Sequence, residues 1–214
     1  MTTIATTSTT TVTARATLGA LGGALWMLLP AVWAVADLED QPFGSPSFFV
    51  VAAANWVFLV LAPAMIVVGV TALRTVLGSA AGRVGGAGMV CAALGVSAMA
   101  LGNGIEVGSM SAGGGEAALG HTMFLLGFLV SIVGGLLMGI TVVRQRRAAL
   151  SRAAGWILVL ALPLGIGIGM LGSVLAPGND AGFWAAISVP TGAAWLLLGR
   201  SLSAEDRAAA VREG

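Results

Sequence analysis

The sequence predicts an all-α fold: a polytopic membrane bundle of six transmembrane helices. Three observations carry this reading. Charge is scarce, six uncharged runs are long enough to cross a bilayer, and every arginine falls on alternate connections.

Composition sets the solvent. Of 214 residues, 57% are hydrophobic and only 9% charged, and the mean hydropathy is +0.98. A soluble domain carries about a quarter charged residues to cover its surface. This chain has too few, so the lipid bilayer is its expected medium and first partner. A net charge of +1 gives no basis for nucleic-acid binding. Arginine without lysine is the usage of a GC-rich genome and points to a bacterial source. The single cysteine, Cys91, excludes an internal disulfide and a multi-cysteine metal site.

A helix needs about 20 apolar residues to cross the hydrocarbon core. Uncharged runs of sufficient length lie between Arg15 and Asp37, Asp40 and Arg74, Arg83 and Glu106, Glu116 and Arg144, Arg152 and Asp180, and Asp180 and Arg200. They predict spans over 17–36, 48–73, 84–105, 118–143, 153–175 and 182–199. The runs are continuously apolar rather than alternating, which argues against strands. A Thr-rich segment, 1–14, reads as a disordered tail. The six spans make one domain, 15–202. Residues 203–214 read as a short cytoplasmic tail, charged and Ala-rich, extending the last helix. Ala34-Val35-Ala36 also has the form of a signal-peptide cleavage site. The apolar run before it is long for a signal peptide and is preceded by little basic charge, which favours a retained first helix.

Orientation follows from the arginines. All ten precede span one, follow span six, or lie between spans two and three or four and five. The opposite connections hold Asp37, Glu39, Asp40, Glu106, Glu116 and Asp180 and no basic residue. The positive-inside rule puts the arginine side, with both termini, in the cytoplasm of a multi-pass cell-membrane protein.

A weak internal repeat is present. Gly69-Val70-Thr71-Ala72-Leu73-Arg74 and Gly139-Ile140-Thr141-Val142-Val143-Arg144 share one pattern 70 positions apart, as three repeated helical hairpins would. Small residues let helices approach in lipid, where no hydrophobic force drives them together. Gly127, Ser131, Gly135 and Gly139, each four apart, predict a packing stripe on span four; Gly19 and Gly23 on span one, and Gly165 and Gly169 on span five, predict others. Pro30, Pro63, Pro163 and Pro190 predict kinks within spans. Trp33, Trp184, Trp156 and Trp195 read as interfacial anchors, and Trp26 and Trp56 as packed between helices.

Few residues carry chemistry. Gly167-Ile168-Gly169-Met170-Leu171-Gly172 matches a dinucleotide fingerprint, but no strand precedes it, so it reads as helix packing. Asn55 is the clearest polar residue within a span and predicts an interhelical contact or a cavity, as does Asn103. On the acidic side, Asn103 and Glu106 share a helix face, and Glu116 and the only histidine, His121, open span four. His121 with Glu106 and Glu116 is a candidate metal site or proton relay. The alternative is an acidic loop that merely follows topology. One histidine provides a single strong haem ligand, with Met110 or Met123 as a second, and excludes bis-histidine haem in a monomer. No cofactor is otherwise indicated. No acidic or basic residue lies near a predicted midplane, and no hydrolase motif occurs. The expected function is a non-enzymatic accessory or interaction protein, contacting another membrane protein or a second copy. The alternatives are a small transporter with a cavity near Asn55, and a metal- or haem-dependent activity at His121.

Overall fold

The computed structural model describes residues 3–35, 38, 40–115, 117–145, 150–175, 177 and 180–213, and the side chains of 11–204 within them. The expectations for Ala36, Asp37, Glu39, Glu116, Arg146 and Arg147 lie outside the described residues. Among the described residues eight α-helices follow in order: α1 (Thr3–Val35), α2 (Pro46–Asn55), α3 (Ala62–Leu77), α4 (Gly82–Ser111), α5 (Ala118–Arg144), α6 (Arg152–Val159), α7 (Ala161–Leu175) and α8 (Ala181–Glu213). There is no strand among the described residues. Helices α2 and α3 are joined by a π-helical stretch, Trp56–Leu61, so they form one rod. Helices α6 and α7 meet end to end with a 70° bend.

By length and composition, four helical tracts are apolar enough to cross a membrane, or five when α6 and α7 count as one. That is compatible with a multi-pass membrane protein. One of the four, Pro46–Ser111, is 66 residues long and folds back on itself. Gly78 (φ +49°) and Gly82 (φ +62°) turn the chain where residues with a Cβ are strained. The Asn103 side chain then reaches the Leu59 carbonyl, 44 positions earlier, across an antiparallel pair. The described residues therefore build six helical rods.

The rods form a closed ring in which each neighbours the next in sequence, and the last returns to the first. Glycines mark the contacts, because a Cβ would collide with the neighbouring backbone. Gly22 of α1 faces Ala62 and Ile66 of α3, and Gly23 faces Gly192 and Leu196 of α8. Gly139 of α5 faces Gly155 of α6, and Gly172 of α7 faces Gly182 of α8. Every pair is antiparallel. The ring encloses a small cavity of about 40 Å³ to which each rod contributes, among them Trp26, Ile66, Val96, Met138, Leu158 and Trp195.

Antiparallel alternation sorts the charges. Thr17 meets Ser203, Gln145 donates to the Ala80 carbonyl, and the Ser151 amide reaches Ser201, so these segments share one end of the ring. Arg15, Arg74, Arg83, Arg144, Arg152 and Arg200 are exposed at that end. Asp40, Glu106, His121 and Asp180 lie at the other.

Several details differ from the sequence reading. The Thr-rich segment continues α1 as helix from Thr3; extending a helix is far cheaper than nucleating one. Span five is two helices rather than one. Helix α6 ends at Val159, and Pro163 has no N–H to close the bond to that residue across the bend. Pro30 and Pro190 interrupt neither α1 nor α8. Trp33 and Trp184 stack at 5.2 Å and 26°, with Trp184 only 9% exposed, so Trp184 is a core residue, as is Trp195. Trp56, expected inside, is 43% exposed.

Candidate functional site

The closest packing in the ring is between α4 and α5. Gly88, Gly95 and Gly102 recur every seven residues on α4, and Gly120, Gly127 and Gly134 do so on α5. A Cβ added at Gly127 would lie 2.6 Å from the Gly95 carbonyl oxygen, and one at Gly102 2.5 Å from that of Gly120. Seven residues are nearly two helical turns and drift by only about 20°, so each triplet keeps to one face. The four-residue spacing drifts about 40° per step at 3.6 residues per turn. Accordingly Gly127 and Ser131 meet α4, while Gly139 has rotated onto α6. Gly135 looks into the central cavity, its nearest neighbour the Leu158 Cδ2 at 3.7 Å. The four residues are thus divided among three surroundings. The seven-residue spacing was the sequence signal for the tighter contact. The two halves of the proposed repeat are also used differently: Gly69 packs on Gly19 of the preceding rod, Gly139 on the following one.

This packing fixes α4 and α5 side by side up to the acidic end, where their polar residues converge. Asn103, Glu106 and His121 line one cavity of about 130 Å³ with Asp180 and the stacked Trp33–Trp184 pair. His121 Nδ1 lies 3.5 Å from Glu106 Oε1, within ion-pair range when the imidazole is protonated. Glu106 is 14% exposed and His121 52%. Phe124 closes the floor against Trp184, their rings 5.5 Å apart.

Asn103 is 2% exposed, and its role is legible atom by atom. Pro63 has no N–H, so the Leu59 carbonyl, four residues earlier, loses its α-helical donor. Asn103 Nδ2 donates to that carbonyl at 3.2 Å. An unsatisfied carbonyl in an apolar interior costs several kcal/mol, and a neighbouring helix here supplies the donor. Asn55, also 2% exposed, sits at the start of the π-helical stretch and does not line the acidic-end cavity.

As a metal centre the site offers His121 and Glu106. Glu116, the third expected ligand, lies outside the described residues. Among those residues, no group of three His, Cys, Asp or Glu is placed to hold a metal. Met110 shares the cavity with His121, but a volume of about 130 Å³ is below the roughly 300 Å³ at which small-molecule pockets begin. It suits a headgroup or a small ion better than a macrocycle.

No protein-family model matches the chain, and neither a curated protein nor a solved structure does.

Proposed function

We propose that the chain is a six-span membrane protein with both termini cytoplasmic, acting without catalysis as an accessory subunit in contact with another membrane protein or a second copy. Six rods of alternating direction, with exposed arginines at one end, support that topology. The observation that carries the contact role is α7. It leans on α8 and exposes a face outside the α5–α8 cleft: Leu164, Leu171 and Val174 are 41%, 58% and 77% exposed. Gly167 on that surface has nothing within 4 Å of an added Cβ, leaving room for a neighbouring helix. The apolar central cavity of about 40 Å³ favours this reading over a permeation path.

Two measurements test it. In a Cys91→Ala background, Ser79→Cys is expected to react with a membrane-impermeant thiol reagent only in opened cells, and Ala112→Cys in intact ones. The reverse pattern overturns the topology. Gly167→Cys in the same background is expected to cross-link a stoichiometric membrane partner or a second copy. A monomer that captures nothing in native membranes overturns the contact role.

A further inference from the structure

The acidic-end cavity does not stand alone. A second cavity, of about 370 Å³, runs between α5, α7 and α8, and Phe183 lines both. The bend between α6 and α7 tips α7 away from α5 and leaves this cleft open along the side of the bundle. Its walls are apolar, with Phe128 and Ile132 from α5, Leu162 and Ile166 from α7, and Ile187 from α8. Leu162 and Ile166 are 51% and 56% exposed, so the cleft opens sideways, where lipid would lie. From Ala161 to Ser173 it follows three turns of helix, about 18 Å at 1.5 Å per residue. The volume lies within the range of about 300–1,000 Å³ that holds small-molecule ligands.

At the polar end the two carboxylates, Glu106 and Asp180, share the lining with His121, Asn103 and the indoles of Trp33 and Trp184. The Asn103 amide nitrogen donates to the Leu59 carbonyl. The result is a pocket holding two carboxylates next to a long apolar slot.

From this juxtaposition we infer a binding site for a single-chain amphiphile with a protonated amine head. The alkyl chain lies in the α5–α7–α8 cleft and the head between Glu106 and Asp180. The carboxylates supply charge complementarity that an anionic head lacks, and the sideways opening admits the ligand from the membrane half on the acidic side. The inference goes beyond the contact role proposed above and requires no protein partner.

The test uses the full-length protein in detergent, with ligand retention counted by native mass spectrometry. Three probes separate the elements: tetradecylamine carries chain and head, ethylamine the head alone, and myristate the chain with an anionic head. Tetradecylamine is expected to bind saturably at one per chain, with myristate at least ten-fold weaker and ethylamine at least a hundred-fold weaker. Glu106→Gln is expected to weaken tetradecylamine at least ten-fold without moving the ligand-free melting temperature. Ile132→Trp, which fills the cleft from α5, is expected to abolish retention. Leu162→Trp fills it from the exposed side and serves if the first variant does not fold. Equal affinity for amine and carboxylate, ethylamine binding as tightly as the long-chain amine, or full retention in a folded cleft-filling variant would each overturn the inference.

Discussion

Asn103 and Pro63 act as one unit, and a double-mutant cycle measures it. Asn103→Leu removes the donor to the Leu59 carbonyl while keeping the branched four-heavy-atom skeleton in a bulkier side chain. A net buried hydrogen bond contributes about 0.5–1.5 kcal/mol, and an orphaned buried acceptor costs about 1–3 kcal/mol. Interhelical bonds measured inside membranes average about 0.6 kcal/mol, with a maximum near 1.7. The expected loss for Asn103→Leu is therefore about 1.5 kcal/mol. Pro63→Ala returns an N–H to residue 63, just past the π-helical stretch in which the Ala62 N–H reaches back five residues to Val57; closing that stretch to α register points the new amide at Leu59. That amide can satisfy Leu59 from within the rod. In the Pro63→Ala background Asn103→Leu is then expected to cost at most about 0.5 kcal/mol, giving a coupling near 1 kcal/mol. Reversible unfolding of the four proteins in mixed micelles, titrated with a denaturing detergent, reads all corners of the cycle. The packing lost with Pro63, itself fully buried, cancels in the difference. An equal cost of Asn103→Leu in both backgrounds refutes the reasoning.

Two further outcomes follow from geometry already described. Gly127→Ala and Gly135→Ala make the same chemical change one helix segment apart. The first is expected to destabilise by about 2 kcal/mol, because its Cβ meets backbone at 2.6 Å and an overpacked contact costs about 1–3 kcal/mol. The second is expected to be neutral or slightly stabilising, its Cβ entering the central cavity; equal melting temperatures for the two variants would contradict the α4–α5 assignment. His121→Ala is expected to change stability by less than about 1 kcal/mol, the usual scale for a solvent-reached ion pair, and chemical unfolding measures it.

The sequence was most legible where one physical requirement acted on whole segments. Charge exclusion from an apolar medium marked six rods, and the arginines marked the end they share. It was least legible where an outcome depended on two residues far apart in the chain. Pro63 announced a missing donor, but nothing local named Asn103 as its replacement, 40 positions on. Trp184 looked like an interfacial anchor because it opens a helix, yet Trp33 and Phe124 come from other rods to cover it. Pro163 announced a distortion but not whether it would resemble the π-helical stretch before Pro63 or the 70° bend before α7. At the acidic end, Asn103 and Glu106 were found from their shared helix face, and His121 from its place at the start of span four. The apolar cleft beside them was invisible, because it arises from the direction α7 takes after the bend.

That direction bears on how the molecule fits its surroundings. Helix α6 has 8 residues and α7 has 15, lengths of about 12 Å and 22 Å. With α6 upright and the 70° bend in place, the pair rises only about 20 Å, against a hydrocarbon thickness of about 30 Å. Sharing the tilt equally, about 35° each, restores roughly 28 Å. In the proposed six-span topology the fifth rod is thus the hydrophobically short member of the ring, and the bilayer would either thin beside it or pull the bend straighter. In that topology acyl-chain length would act as a mechanical load on a single joint at Leu160, applied by the lipid rather than by any ligand.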